Sequence, residues 1–204
     1  MKPHRSQRRQ RKPQLPKHLL LQKPAPAATR VAAAVGRAAE DLAAAADLAA
    51  AGRVGDGDMK PSEFIDALAE QHIVDAVRSS EARTSGEIRV FVTHRKLRGE
   101  DVRVRARTEF DRLHIGDTAL RNGVLFYIVP CEQTFAVIGD EEIHAKCGQG
   151  FWDETAGAME KLFREGKFTE GLVAGLESAG DIMARHFPRR DDDRNELSDA
   201  VARD

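Results

Sequence analysis

The chain has 204 residues, and its formal net charge of −1 conceals two parts of opposite sign. Residues 1–58 carry eleven Lys and Arg against five Asp and Glu, whereas residues 59–204 carry twenty-one against twenty-eight. All eleven aromatic residues lie in the second part, from Phe64 onward. A segment without aromatic residues has little apolar surface to bury, so the composition assigns the core to the second part.

Neither a disulfide framework nor a membrane span is indicated by the composition. Two cysteines, Cys131 and Cys147, are too few for a disulfide scaffold and fit a reducing compartment. The longest apolar run, residues 123–129, has strand length and falls short of the roughly 18 to 20 residues that cross a bilayer. Residues 19–21 are too short for the apolar part of a secretory signal. We therefore expect a soluble, cytoplasmic protein without a transmembrane segment.

The first 58 residues admit several interpretations. Residues 1–28 are rich in Arg, Lys, Gln and Pro, which is typical of a nucleic-acid-binding arm, an organelle transit peptide or a disordered tail. Residues 30–51 are largely alanine and can be helical by propensity, although methyl groups offer little to pack. The composition changes at Met59, which favours a disordered extension or a start assigned upstream of the real one. Outside the basic tail there is no strong nucleic-acid signal.

From Met59 onward, apolar periodicity predicts alternating helices and strands. Ser62 is a candidate cap for a helix that ends near Arg83, and the alternation at residues 88–93 predicts a strand. A further helix is predicted over residues 100–113. Its outer face carries four arginines, which we interpret as a solvated face rather than a phosphate-binding stripe.

The second half of the domain predicts a hairpin followed by helices. Residues 124–129 are apolar on both faces, as in a covered central strand, and residues 134–138 predict its antiparallel partner. Two helices follow, the first ended by Gly166 and the second opened by Thr169. Close helix packing would account for the glycines inside the last helix, which are Gly171, Gly175 and Gly180.

This order of elements predicts an α/β fold, in which a small mixed β-sheet is covered by helices on both faces. We place the domain at residues 59–188, after an extension at residues 1–58. Residues 189–204 form a charged C-terminal tail that we expect to be loose.

Several short motifs of this domain resemble those of one family. They are TSGEIRV at 84–90, RNGVL at 121–125, FAVIGD at 135–140, FWD at 151–153 and NELSD at 195–199. Their order and spacing resemble the TPM domain, also called TPM phosphatase-like, and in particular its short soluble bacterial branch. The resemblance implies a family in which some members are described as acid phosphatases or as binders of divalent cations. Others act as accessory proteins of membrane complexes.

Three carboxylates stand next to these motifs. Glu87 opens the first strand, Asp117 precedes the central strand, and Asp140 closes the strand after it. Strand ends can meet on one rim, where three carboxylates can hold Mg²⁺ or Ca²⁺ and activate water against a phosphomonoester. Arg121 can then bind the phosphate by two parallel hydrogen bonds. In the anchored members this position usually carries Asp, so the chain has a cation where a hard metal requires an oxygen ligand.

Each of these residues also has a structural interpretation, which we favour. Glu87 can pair with a surface arginine, Asp117 can cap a turn, and Asp140 can cap the next helix, where an anion is stabilised. Asn122-Gly123 can likewise form a tight turn that requires a positive φ.

Cysteine and histidine give a weaker signal. Cys131, His144 and Cys147 include a ligand-like spacing, but a fourth zinc ligand is not evident, and no signature of a nucleophilic cysteine surrounds either thiol. A glycine-rich phosphate loop is not present in the sequence. No cofactor beyond Mg²⁺ or Ca²⁺ is therefore predicted.

Two functions of different classes remain. The first is a non-catalytic binding or accessory module for a protein partner, with or without a divalent cation. The second is a weak metal-dependent acid phosphatase with Glu87, Asp117 and Asp140 as metal ligands and Arg121 as phosphate clamp. We favour the first, because the sequence contains no complete catalytic constellation and fold resemblance alone does not establish chemistry.

Overall fold

The computed structural model describes residues 49–54, 60–190, 195 and 197–204. The strands are β1 (Ala49–Arg53), β2 (Ile88–Val92), β3 (Val124–Val129), β4 (Thr134–Gly139) and β5 (Ala202–Arg203). The helices are α1 (Pro61–Asp66), α2 (Glu70–Glu81), α3 (Val102–Arg112), α4 (Glu141–Arg164) and α5 (Phe168–His186). Short 3₁₀ turns occupy Ile115–Asp117 and Pro130–Glu132. The basic arm at residues 1–28 lies outside the described residues.

The strands form one mixed sheet in the order β1-β4-β3-β2-β5. β3 and β4 pair antiparallel, with Leu125 opposite Ile138, which confirms the predicted hairpin. β2 runs parallel to β3, with Val90 opposite Phe126. All six residues of β3 are buried, as predicted for a strand covered on both sides.

Helices cover both faces of the sheet, so the predicted α/β architecture is confirmed. Successive residues of a strand point to opposite faces. Phe126 accordingly joins the larger core with Trp152 of α4 and Leu176 of α5. The next residue, Tyr127, joins a second core beneath Phe110 of α3.

The last two long helices pack closely, and glycine makes this approach possible. A Cβ atom at Gly175 would lie 2.5 Å from Sδ of Met159 in α4. A Cβ atom at Gly180 would lie 2.5 Å from Cβ of Ser80 in α2. The predicted reason for glycine inside α5 is therefore confirmed.

The arginines on the outer face of α3 all form ion pairs. Asp101 caps the helix by accepting a hydrogen bond from Arg103 N at 2.8 Å. The four arginines pair with acids of the same segment: Arg103 with Asp101, Arg105 with Glu100, Arg107 with Asp111 and Arg112 with Glu109. These pairings support the interpretation of a solvated helix face.

Two predicted helix starts are wrong. The helix predicted from Ser62 is two helices, and α1 begins at Pro61, where the missing N–H of proline costs nothing. Thr169 lies inside the first turn of α5 rather than at its cap. Its hydroxyl accepts a hydrogen bond from Ala69 N at 3.0 Å and donates one to Ala67 O at 3.2 Å. Thr169 therefore satisfies backbone groups at the break between α1 and α2.

The alanine-rich segment ends in a strand. Residues 49–51, predicted to be helical, pair antiparallel with β4, so the sheet begins upstream of Met59. A Cβ atom at Gly52 would lie 2.6 Å from the ring of Phe135, so this edge strand requires small residues. Pairing with β4 outweighs the high helical propensity of alanine here, because tertiary contacts override intrinsic propensity. Residues 30–48 lie outside the described residues.

The end of the chain is anchored, contrary to the expectation of a loose tail. β5 pairs parallel with β2, and Val201 is 9% exposed. Asp199 accepts a hydrogen bond from Arg78 Nε at 2.9 Å, and Asp204 accepts one from Thr93 Oγ1 at 2.8 Å. The high charge of this segment suggested a solvated tail. In the structure, Asp199 and Asp204 instead bind side chains of the folded domain. Residues 191–194 and 196 lie outside the described residues.

Candidate functional site

The family motifs meet at one end of the sheet. Val124 N donates a hydrogen bond to Glu87 O at 2.8 Å, and Asp140 N donates one to Gly123 O at 3.0 Å. Glu87, Gly123 and Asp140 therefore lie in one row across three neighbouring strands. This is the rim on which the sequence predicted the carboxylates to meet.

A turn separates the two carboxylates of this row. A Cβ atom at Gly123 would collide with the carbonyl oxygen of Ile115, so the turn Ile115–Asp117 lies directly on Gly123. Ile115 itself is fully buried. Ile115 thus covers Gly123, the residue that lies between Glu87 and Asp140 in the row. Glycine is required at position 123 for this close approach.

Asp140 is a structural residue. Its side chain is fully buried, and Oδ1 accepts a hydrogen bond from Glu141 N at 2.8 Å, which caps α4. The guanidinium of Arg121 donates from Nε to Oδ2 at 3.1 Å and from Nη2 to Oδ1 at 3.3 Å. Both carboxylate oxygens are therefore bound to protein donors, in the cap geometry that an anion favours.

The turn before β3 presents Arg121 to this carboxylate. The predicted positive φ falls on Arg121, at 51°, and not on Asn122-Gly123. The buried side chain of Asn122 holds the turn, because its amide nitrogen donates to Ser85 O at 3.0 Å. Its amide oxygen accepts from the Thr118 hydroxyl at 3.2 Å. This network fixes the direction in which Arg121 leaves the turn.

Arg121 and Asp140 form an asymmetric ion pair. The Arg121 side chain is 54% exposed, whereas that of Asp140 is fully buried. The hydrogen bond to Asp140 raises the pKa of the guanidinium further, so Arg121 is permanently charged. The cation that replaces an anion at this position of the family motif therefore neutralises the buried acid beside it.

Asp117 faces solvent. Its side chain is 75% exposed, and its Oδ2 lies 2.8 Å from Nδ1 of His114. Asp117 N also donates to His114 O at 3.1 Å, as in a tight turn. The partner of the Asp117 side chain is therefore His114, rather than a backbone N–H of the turn that it was expected to cap.

Glu87 lies beside the C-terminal segment, near two further acids, Glu81 and Asp199. The sequence motifs did not indicate a role for either of them. Its Oε2 accepts a hydrogen bond from Leu197 N at 3.1 Å. Nearby, Oε1 of Glu81 accepts one from Ile88 N at 2.8 Å. Oε2 of Glu81 is buried without a hydrogen-bond partner in the described part of the chain. Burial, together with the charges of Glu87 and Asp199, raises the pKa of Glu81 to about 8.

A sequence signal for Glu81 did exist. It follows Ile73 and Val77 at spacings of four, so it continues the buried stripe of α2. An acid on an apolar stripe indicates a buried carboxylate.

The structure does not bring the three predicted metal ligands together. Glu87 faces the C-terminal segment, Asp117 faces solvent, and Asp140 lies beneath Arg121. Within residues 49–54, 60–190, 195 and 197–204, no three Asp, Glu, His or Cys side chains are grouped so that they could hold a metal ion.

Cys131 is also kept apart from His144 and Cys147. Cys131 lies in the turn after β3, at one end of the hairpin. His144 and Cys147 lie in α4, which begins at the other end of the hairpin, next to the start of β3. Six residues of strand, at about 3.3 Å each, separate the two ends by roughly 20 Å. Burial raises the pKa of both thiols, which makes a cysteine nucleophile less reactive.

An open cleft of about 400 Å³ lies next to Arg121, and we call it the basic cleft. It is lined by basic residues from three segments, Arg121, Lys146, His186 and Arg190, by one acid, Glu142, and by Ser85, Ala119, Leu120, Phe187 and Pro188. Leu120 is 37% exposed and is the one exposed large hydrophobic residue in the described part of the chain. No local motif indicates this cleft, because its basic residues are spread over 70 positions from 121 to 190.

The fold and the rim together define a class of protein: a mixed-sheet α/β domain whose strand-end motifs frame a surface site. The TPM domain model matches residues 59–182, and the chain therefore belongs to the TPM domain family. Among solved structures, it is similar to the NMR structure of BA42 protein from the psychrophilic bacterium Bizionia argentinensis. The two share 37% sequence identity over 73% of this chain and 97% of that chain, with a TM-score of 0.61.

Two further findings accompany the family assignment. No match to the chain was found among curated proteins. In the part of the chain that the structure describes, no helix has both the length and the apolar character needed to cross a membrane.

Proposed function

We propose that this TPM-domain chain is a non-catalytic binding or accessory module that acts on a protein partner, in the cytoplasm. The observation that carries the proposal is the buried Asp140, both of whose oxygens are bound by the α4 backbone and by Arg121. A carboxylate held in this way is part of the scaffold and is not available to activate water.

The arrangement of the other candidate residues supports the same function. Metal-assisted hydrolysis needs an ion held by several oxygen ligands. Glu87, Asp117 and Asp140 lie in three different environments, so the proposal contains no bound divalent cation. Covalent hydrolysis would need an activated nucleophile, and burial raises the pKa of both thiols.

A weak acid phosphatase is the second candidate, and the exposure of Arg121 favours it. Just over half of that side chain is open to solvent, so a phosphate can reach the guanidinium. Binding of phosphate without a metal or a nucleophile gives affinity but no turnover.

Phosphomonoester turnover tests the choice between the two functions. The full chain would be assayed with para-nitrophenyl phosphate at pH 5 and pH 7, with Mg²⁺, with Ca²⁺ and with a chelator. We expect no hydrolysis above that of heat-denatured protein under any of these conditions. The matched variant is Asp117→Asn, because this exposed carboxylate can be neutralised without loss of a buried contact. Turnover that disappears with the chelator and in Asp117→Asn would establish the phosphatase instead.

A further inference from the structure

The basic cleft gathers positive charge from segments that are distant in sequence. Arg121 comes from the turn before β3, Lys146 from the first half of α4, and His186 and Arg190 from the end of α5 and the residues after it. Lys146 and Arg190 are both exposed. Unlike the arginines of α3, these cations have no ion pair among the described residues, apart from Arg121 with Asp140.

Arg121 enters the cleft with a preset orientation. Its two hydrogen bonds to Asp140 use Nε and Nη2, whereas a guanidinium carries five N–H donors in a planar fork. Three donors remain, and 54% of the side chain is exposed. A fork that is already held by a buried carboxylate loses little rotational freedom when it binds a second anion.

The cleft also offers apolar surface next to the charge. Nζ of Lys146 lies 3.8 Å from the centre of the Phe187 ring, which holds the ammonium against the wall of the cleft. Leu120 is exposed at the neighbouring edge, directly before Arg121. A ligand that fills this site would place an apolar group on Leu120 and an anion near Arg121 and Lys146.

The charge balance decides which anion fits. Arg121, Lys146 and Arg190 contribute three positive charges, and Asp140 and Glu142 remove two, with His186 counted as neutral. Asp117 and Glu141 also act on Arg121 from outside the lining, so a ligand with a single negative charge fits better than one with two. A phosphate dianion would bring twice the negative charge of a carboxylate next to these acids and to the buried Asp140.

We propose that the basic cleft binds an acidic peptide segment of a partner protein, in which a Glu or Asp side chain stands next to an apolar side chain. The carboxylate lies between Arg121 and Lys146, and the apolar side chain packs on Leu120. This inference rests on the proposed binding function and names the chemistry of its ligand.

The test uses the full chain labelled with ¹⁵N and two short peptides, acetyl-Leu-Glu-Leu-amide and the same peptide with Gln in place of Glu. The Glu peptide is expected to shift the backbone amide signals of Leu120, Lys146 and Arg190. We expect the Gln peptide to bind more weakly by up to about fivefold, which is the largest factor that a partly exposed charge pair contributes. Raising the salt concentration should weaken the Glu peptide alone, because it screens charge.

Variants of the two exposed cations localise the effect without touching the buried pair. Lys146→Gln and Arg190→Gln should each weaken the Glu peptide by a few fold. The matched control is Lys161→Gln, which removes the same charge from an exposed position of α4 outside the cleft and should leave binding unchanged. Equal losses in Lys146→Gln and Lys161→Gln would overturn the assignment to the cleft.

Two other outcomes would also overturn the proposal. One is the absence of shifts in the cleft with the Glu peptide, and the other is tighter binding of inorganic phosphate than of that peptide. Phosphomonoester turnover measured on the same sample distinguishes failure of the proposed binding function from failure of the proposed peptide site. Hydrolysis would refute the accessory function, whereas no hydrolysis and no peptide binding would refute this inference alone.

Discussion

Substitution of Glu81 by Gln isolates the one strongly perturbed carboxyl group of the described residues. Glu81 is 8% exposed, and its Oε1 accepts a hydrogen bond from Ile88 N at 2.8 Å. Its other oxygen has no hydrogen-bond donor within the described part of the chain and is close to Asp199. A glutamine keeps the acceptor for Ile88, can donate to Asp199 from its amide nitrogen, and carries no charge.

The sign of the effect follows from the two pKa values. Glu81 titrates at 4.5 in the unfolded chain and at about 8 in the folded one. Between these values the unfolded chain releases a proton that the folded chain retains, so the free energy of unfolding falls as the pH rises. The free energy of unfolding falls by about 1.4 kcal/mol per pH unit in this range, which gives an upper bound of roughly 5 kcal/mol at pH 8. Relaxation of the protein and entry of water around Glu81 make the actual loss smaller. Below pH 4.5 this contribution to stability is fully present.

Urea unfolding of the wild type and Glu81→Gln between pH 5 and pH 9, followed by circular dichroism, measures this difference. We expect the variant to match the wild type within about 1 kcal/mol near pH 5 and to exceed it by about 2 kcal/mol or more at pH 8. Glu177→Gln is the matched control, because that glutamate is exposed on α5. A constant difference between wild type and Glu81→Gln at every pH would refute the idea that Glu81 is buried with its proton.

Other consequences of the structure can be measured in the same way. Arg121→Leu leaves the buried carboxylate of Asp140 without its cation and should destabilise the chain more than Asp140→Asn, which keeps a capping oxygen and should cost about 1 kcal/mol. The reverse order in urea unfolding would contradict the ion-pair geometry. Gly123→Ala should cost about 2 kcal/mol because it meets a carbonyl oxygen, while Gly157→Ala, with open space around it, should gain about 0.5 kcal/mol. Equal melting temperatures of these two variants would argue against the close approach. Both thiols should react with iodoacetamide at pH 8 more slowly in the folded chain than in urea, because burial raises their pKa. Equal rates would speak against that burial.

The sequence predicted those elements whose pattern is local. Residues 124–129 are apolar at every position, so a covered central strand was predicted from the sequence alone, and the hairpin followed from the short polar connection after it. Asp140 stands directly before an acidic first turn, and this local signal indicated its role as a helix cap. In each case the decisive residues are close together in the chain.

The errors concern contacts between distant residues. Residues 49–51 have helical composition, but the edge of β4 makes them a strand. The metal hypothesis assumed that strand ends converge freely, whereas Ile115 lies on Gly123 between two of the three carboxylates. No local pattern reports such a packing contact, because it depends on how the turn folds back onto the sheet.

The same limit applies to the basic cleft. Its basic residues belong to three segments, and each one looks like an ordinary surface residue when taken alone. Their grouping depends on the end of α5 reaching the turn that carries Arg121. A site of this kind can be found from the three-dimensional structure but not from residue spacing.

The central claim is that the motif carboxylates Glu87, Asp117 and Asp140 do not share a metal ion, because Glu87 and Asp140 bind protein donors and Asp117 faces solvent. The most direct test is the melting temperature of the full chain, after treatment with a chelator, with and without millimolar Mg²⁺ or Ca²⁺. A ligand at a hundredfold excess over its dissociation constant adds about 2.7 kcal/mol of stability when it binds the native state alone. We expect no change in melting temperature with either ion. A clear upward shift that is lost in Asp117→Asn would contradict the claim and place a metal site on this rim.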